Sequence, residues 1–465
     1  MSTRSRSPFS LLCITGAAVL LGVLFIAGCG NITGSGSTGN NGGTAFVIGT
    51  DAPAASVVSF NATIQSLDAI DAAGNSVSLI SGSPTVDFAR YNGLQALLDE
   101  NNVPADTYTQ ISVTFSSATI GYLQTQGAPP TIQTMNATFT NPTVTATLAT
   151  PLVVAQTGPV GIRFDFRLGQ SIQVSNGQIT GQVTPDIDIT AVGPDDPGAY
   201  IDEFDAGVVS VDASAQSFIV QGPHGRQWTI DVNGNTEWDG SASLSALTST
   251  SIVQISGVLD KADSTIDADE VAILSQNGFY AAGLVTYVQP ASGTASNFDL
   301  YVRGTLPASG TGVTDGMQAQ VDLTGQEKFF IYWMHNPLTQ FFFNSSALLA
   351  GQHVGVGGAI SGAQNGQALS VNRVTLRQNG LNGTLVPGSI DLNSGSFQMQ
   401  VGGFAGVLIP QNVTVYCGAK TSFRFGLNGV GDITDTTHLR VVGLLLKDPA
   451  SGNPVLLARY VDVLN

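Results

Sequence analysis

The chain has 465 residues, and 33 acidic against 16 basic side chains give it a formal net charge of −17. That length suits about three ordinary domains. An apolar share of 43% excludes a disordered acidic tail, the 55 glycines do not fall in collagen triplets, and scattered basic residues leave no electrostatic footprint for nucleic acid.

The first residues read as a targeting segment. Arg4 and Arg6 form a cationic start, Leu11 to Ile26 is a 16-residue apolar stretch, and no acid precedes Asp51. A spanning helix needs about 20 apolar residues, so a secretory signal over 1–28 is expected. The stretch ends Ile26-Ala27-Gly28-Cys29, which resembles the bacterial lipobox. That resemblance implies diacylglyceryl transfer to the Cys29 thiol, cleavage before it and palmitate-type acylation. Gly30 in place of Asp implies sorting to the outer membrane. Cleavage there would leave 14 basic and 33 acidic residues, a net charge of −19. Each buried acyl methylene is worth about 0.8 kcal/mol, so two or three chains anchor firmly. Of the three cysteines, Cys417 alone then remains as a thiol. A disulfide framework is excluded, and a small buried hydrophobe is its expected role.

Residues 29–43 form a tether, Gly, Ser, Thr and Asn with a single Ile after Cys29, whose last fourteen residues reach roughly 20 Å. Gly34 to Gly39 matches G-x-G-x-x-G by letter, but no strand precedes it and no helix follows, so it is a spacer. From Thr44 the period is two. Ile111, Val113 and Phe115 alternate with Ser112 and Thr114, and Ile162, Phe164, Phe166 and Leu168 alternate with Arg163, Asp165 and Arg167. Such strands bury one face and wet the other. Leu94, Leu97 and Leu98 stand at helical spacing behind Asn92-Gly93, which predicts one short helix over 92–101. An N-terminal antiparallel β-sandwich is therefore expected over 44–193, with an acidic linker over 194–206.

Three loose repeats follow, over 207–276, 277–378 and 379–465. Each opens with a Gly and an apolar strand (Gly207, Gly283, Gly383), then a strand carrying a Phe (Phe218, Phe298, Phe397). Next comes Thr-x-aromatic: Thr236-Glu237-Trp238, Thr339-Gln340-Phe341 and Thr421-Ser422-Phe423. A strand running into Gly257, Gly357-Gly358 or Gly443 precedes a last strand around Val271, Val374 or Val461. Five or six short strands per unit predict a small barrel or sandwich, with Gly bending strands at corners. The whole chain is thus expected to be all-β.

Two family resemblances rest on these residues. Thr50-Asp51-Ala52-Pro53-Ala54 through Val57 to Ile64, with Val103-Pro104-Ala105-Asp106-Thr107-Tyr108, resembles the bacterial domain of unknown function 4382. Asp106 stands where that family usually has Gly. The three later units resemble the domain of unknown function 5666, the first unit best. Neither family implies an activity; such pairings are typical of lipoproteins on the surface of Gram-negative bacteria.

Patterns for catalysis are missing from the sequence. There is no G-x-S-x-G elbow, and His224, His335, His353 and His438 lack H-E-x-x-H or H-x-H spacing. No cofactor is expected. Asp186, Asp188, Asp202 and Asp205 are calcium candidates, since calcium takes six to eight oxygens, against the plainer reading of a solvated acidic surface. Seven of the fifteen residues Phe329 to Phe343 are aromatic. A hairpin there cannot send all seven to one core, so Tyr332, Trp333 and Phe342 are candidates for a ligand or partner surface, against the alternative of inter-domain packing. The expected function is a non-catalytic, lipid-anchored envelope protein in a structural, adhesion or ligand-binding role, with a carbohydrate or an envelope protein as its contact. An extracellular polymer hydrolase using carboxylates and an accessory subunit of a secretion or assembly complex are the alternatives.

Overall fold

The computed structural model describes residues 42–52, 57–91, 96–124, 130–156, 160–176, 178–193, 200–222, 227–239, 242–260, 265–276, 278–307, 311–331, 341–358, 368–401, 412–434 and 437–464. These residues are almost entirely strand, and residues 41–465 form one compact unit.

The N-terminal part begins with β1 (Gly42–Ala52), β2 (Val57–Asp71), β3 (Ser76–Ser78), β4 (Thr85–Asp87), β5 (Ala96–Pro104) and β6 (Thr107–Gln124). It continues with β7 (Thr131–Phe139), β8 (Thr143–Val153), β9 (Val160–Arg167), β10 (Ile172–Ser175), β11 (Gln178–Val183) and β12 (Ile187–Val192). One sheet runs β12-β9-β1-β5; the other runs β10-β11-β7-β6-β2-β3, with β4 on β2 and β8 on β6. Their inner faces meet in a core of Phe60, Phe88, Phe115, Phe164 and Phe166, whose rings lie 5.0–6.5 Å apart in tilted and edge contacts. Most pairs are antiparallel, but β1 and β9 run parallel. At the β5–β6 turn the Tyr108 hydroxyl donates to the Pro104 carbonyl at 2.9 Å, which ties the strand back onto its own turn.

The helix expected over 92–101 is corrected. Residues 96–104 are strand β5, paired along its length with β1 from Gly42↔Pro104 to Gly49↔Ala96. An edge partner with free backbone groups outweighs a local three-leucine helical spacing. The α-helical turn among the described residues is instead Leu168–Ser171, closing β9, where the Ser171 hydroxyl donates to the Arg167 carbonyl.

Three barrel-like units of six, seven and five strands follow. The first is β13 (Tyr200–Asp212), β14 (Ser217–Gln221), β15 (Gln227–Asp231), β16 (Glu237–Trp238), β17 (Ile252–Leu259) and β18 (Ile266–Ser275). Its order is β15-β14-β13-β17-β18, and a parallel β15–β18 pairing closes it. The second is β19 (Phe279–Gln289), β20 (Asn297–Leu306), β21 (Gln318–Asp322), β22 (Lys328–Ile331), β23 (His353–Gly358), β24 (Leu369–Ser370) and β25 (Arg373–Leu376). The third is β26 (Gln378–Leu385), β27 (Ser396–Val401), β28 (Asn412–Arg424), β29 (His438–Lys447) and β30 (Pro454–Val463), closed in the order β26-β27-β28-β30-β29. Phe218, Phe298 and Phe397 occupy equivalent strands and are fully buried.

Register identifies the aromatic position of the repeat. Trp238 pairs with Val271, Phe423 with Val461, and Phe329 with Val374, so the second-barrel equivalent is Phe329 and not Phe341. The residue two before each aromatic does the same work. Thr236 accepts the Asn233 N–H and Thr421 the Gly418 N–H, and both hydroxyls donate to the closing strand, at Ala268 and Ala458 carbonyls. In the second barrel Glu327 accepts the Thr324 N–H in their place.

Candidate functional site

The segment read as an acidic linker is, from Tyr200, the first strand of the first barrel, and its acids are buried. Between Ile201 and Phe204 strand β13 shifts register against β17, and Glu203 takes the left-handed φ of +43°. The bulge turns Asp202 and Glu203 inward together. The Glu203 N–H donates to Ser256 Oγ at 3.1 Å, while its carboxylate receives Arg377 Nε at 3.0 Å and the Gln378 N–H at 3.1 Å. Arg377 also donates to Asp205, to the Glu203 carbonyl and to the Tyr280 hydroxyl at 3.1 Å. Arg377 stands between the second and third barrels in sequence, so this cluster joins all three.

Above that cluster is a cavity of about 550 Å³ where the sandwich meets the first two barrels. The sandwich supplies Asp87, Arg90, Tyr91 and Asp99, the first barrel Asp202 to Asp205, and the second Tyr301, Arg303, Asp315 and His353. Asp87 accepts the Phe60 N–H at 2.8 Å, and Asp99 accepts the Ser81 N–H at 2.7 Å. Arg303 crosses from barrel to sandwich, its Nε donating to the Val58 carbonyl at 3.0 Å. Arg90 lies against Gly304, where any Cβ would strike the guanidinium.

The lining holds three arginines against six carboxylates. Burial raises the Asp87 carboxyl above its ordinary value, with Arg303 opposing, and burial likewise raises Glu203 against the pull of Arg377. Burial holds His353 well below its ordinary value, helped by Arg377 and Arg303, so it is neutral at pH 7. Its Nδ1 faces the Gln378 carbonyl at 3.3 Å, and its backbone N–H donates to Asn379. The walls can therefore accept and donate hydrogen bonds at many points, and beside them lie Ile64, Ile80 and Val302.

The residues singled out in the sequence are distributed otherwise. Cys29, Tyr332 and Trp333 lie outside the described residues. Phe342 is 47% exposed, whereas its neighbours Phe341 and Phe343 are buried in the second barrel's core. Asp186 pairs with Arg167 at 3.3 Å and Asp188 with Arg163 at 3.7 Å. Asp202 accepts the Tyr460 hydroxyl at 3.2 Å, and Asp205 holds Arg377. The four aspartates therefore do not converge on one point, and among the described residues no cluster of three acidic, His or Cys side chains could hold a metal ion. A solvated surface describes only the first two, because Asp202 and Asp205 are at most 9% exposed. Cys417 is partly buried on β28, and burial pushes its thiol up to about 12. Among the described residues no helix is long and apolar enough to cross a membrane.

Sequence reasoning missed the cavity because its residues come from stretches of chain as far apart as Asn61 and Arg377. A signal was present: Arg303 is the one charge in the strand run Leu300 to Leu306, where an unpaired cation is not tolerated.

Residues 43–193 match the model of a family described as Domain of unknown function (DUF4382), and residues 206–272 match one described as Domain of unknown function (DUF5666). No curated protein matches the chain. The second and third barrels lie beyond both matches yet repeat the strand order of the first. In order along the chain, the match to DUF4382 is thus followed directly by the match to DUF5666.

Proposed function

We propose that this chain is a non-catalytic envelope lipoprotein, held to the outer membrane by acylated Cys29, whose central cavity binds a small neutral carbohydrate. The cavity of about 550 Å³ carries the reading. Ligand sites of roughly 300–1,000 Å³ are typical for small molecules. Sugar hydroxyls both donate to carboxylates and accept from guanidinium groups, which suits a lining with three arginines and six acids. The excess of acid disfavours an anion, and the neutral state of His353 removes a further cation. Tyr91 and Tyr301 supply ring surface at the same walls.

Titration calorimetry of the purified chain against neutral mono- and oligosaccharides tests it. Arg90, at the sandwich rim, is the residue to change: Arg90→Ala should weaken sugar binding at least tenfold while melting as the parent does. Turnover of an extracellular polymer without detectable sugar binding would replace this reading with the hydrolase alternative. Membrane attachment is tested separately. Cys29→Ala should move the protein from the detergent phase to the aqueous phase, and unchanged partitioning would end the lipoprotein reading.

A further inference from the structure

A second, smaller cavity of about 250 Å³ lies where β9 and β12 of the sandwich meet the third barrel. Strand β9 departs from the expected alternation, because Arg163 and Asp165 are buried as fully as the phenylalanines beside them. Both point to the same outer face, being two residues apart on a strand. The third barrel covers that face, and Arg440 Nη1 donates to Asp165 Oδ2 at 2.7 Å.

The pairing there is incomplete. The Arg163 side chain is 8% exposed and its Nη2 stands 3.7 Å from Asp188, but its Nε and Nη1 have no hydrogen-bond partner among the described residues. Asp165 Oδ1 is buried and equally unpartnered. Burial lowers the Arg163 pKa and the like charge of Arg440 adds to this, with Asp165 and Asp188 offsetting only part. Across the cavity, the Phe425 ring centroid is 4.8 Å from the Arg163 guanidinium carbon, and Phe425 holds a φ of +54° that a bulky side chain rarely adopts. Of the three arginines in the lining, Arg167 is paired with Asp186 and Arg440 with Asp165 and Asp462, which leaves Arg163, 3.7 Å from Asp188, as the weakly paired cation.

We propose that this cavity binds a small hydroxy-monocarboxylate of about sugar-ring size, its carboxylate received by Arg163 and one hydroxyl donating to Asp165 Oδ1. A single weakly paired guanidinium matches a monoanion. A phosphate dianion would meet two aspartates, and a neutral sugar would leave the guanidinium unanswered. The apolar side, Phe425 with Val463 and Leu464, takes the carbon face of the ligand.

The test uses D-glucuronate as probe, with D-glucose as its neutral counterpart and inorganic phosphate as the competing anion, each titrated calorimetrically into the full chain carrying Arg90→Ala, so that neutral-sugar binding in the larger cavity is weakened. Glucuronate should bind at least tenfold tighter than either. Adding Arg163→Gln should cut that affinity at least tenfold, and restoring Arg90 in the larger cavity should leave it unchanged. Should Arg163→Gln fail to fold by circular dichroism, Thr150→Trp decides, because exposed Thr150 lines the cavity rim and a large ring there fills it. No glucuronate binding, equal binding of glucose, tighter binding of phosphate, or binding that survives Thr150→Trp would each overturn the proposal.

Discussion

Glu203 reaches Arg377 from a backbone turned to φ +43°, and its carboxylate receives the guanidinium Nε at 3.0 Å. A left-handed glutamate costs of order 1–3 kcal/mol and persists only where its surroundings hold it. Here the holders are Ser256 on its N–H and Gln378 on its carboxylate. Removing one partner of a buried pair leaves an uncompensated charge, at a cost of about 3–5 kcal/mol. Arg377→Met should therefore lower stability by about that much. The triple variant adding Glu203→Gln and Asp205→Asn should recover part of it, and chemical denaturation of both measures the difference.

Gly443 and Gly257 make the barrels' corners. Each sits at a register shift, and a Cβ on either would collide with the carbonyl of the facing strand, Leu457 or Asp267. Gly207 opens the first barrel's sequence repeat in the same conspicuous way, yet a Cβ there meets nothing. Gly443→Ala and Gly257→Ala should each cost about 1–3 kcal/mol through forced backbone displacement. Gly207→Ala should stay within about 0.5 kcal/mol of the parent. Thermal melts of the three variants separate corner glycines from an incidental one.

Period-two patterning told the fold class, and the repeated Phe and closing Val positions told the barrel repeat, because both are set by neighbours close in sequence. Phe218, Phe298 and Phe397 are legible for that reason. Long-range pairing is where reading failed. Leu94, Leu97 and Leu98 suggest a helix until β1 is seen to pair with residues 96–104. Thr339-Gln340-Phe341 has the motif's letters, but only register shows that Glu327 and Phe329 hold its place. Both cavities were invisible for a related reason. Arg163 and Asp165 look like the wet face of a strand until a domain starting more than 200 residues later covers them.

The run Phe341-Phe342-Phe343 divides by face. Phe341 packs on Tyr416 of the third barrel at 5.6 Å and Phe343 on Phe329 at 5.4 Å, while Phe342 points outward. Phe341→Ala and Phe343→Ala should each cost about 3–5 kcal/mol, the loss of a buried ring and the void it leaves. Phe342→Ala should fall within about 0.5 kcal/mol of the parent. Equal destabilisation by all three in denaturant titrations would mean that Phe342 is covered as well.

Asp462 is a buried carboxylate that contributes to the acid limit of the fold. Burial alone would raise its pKa, but Arg424, donating at 2.7 and 2.8 Å, with Arg440 and Arg163 nearby, brings it below its ordinary 3.8. The unfolded chain therefore binds this proton more readily than the folded one. Its stabilisation is complete above the ordinary value and is lost as pH falls through the depressed one. Glu203 and Asp87 act in the opposite sense: their pKa values are raised, so their contribution is present below the ordinary carboxylate range and is lost as pH rises through the folded values. Melting temperature should thus fall on acidification below about pH 3.8, and Asp462→Asn should flatten that limb. The same variant should lose about 3–5 kcal/mol at neutral pH, where Arg424 and Arg440 are left without their shared carboxylate. Parallel melts of parent and variant across the acid range measure both effects, and an unchanged acid limb in Asp462→Asn would move the origin of acid unfolding elsewhere.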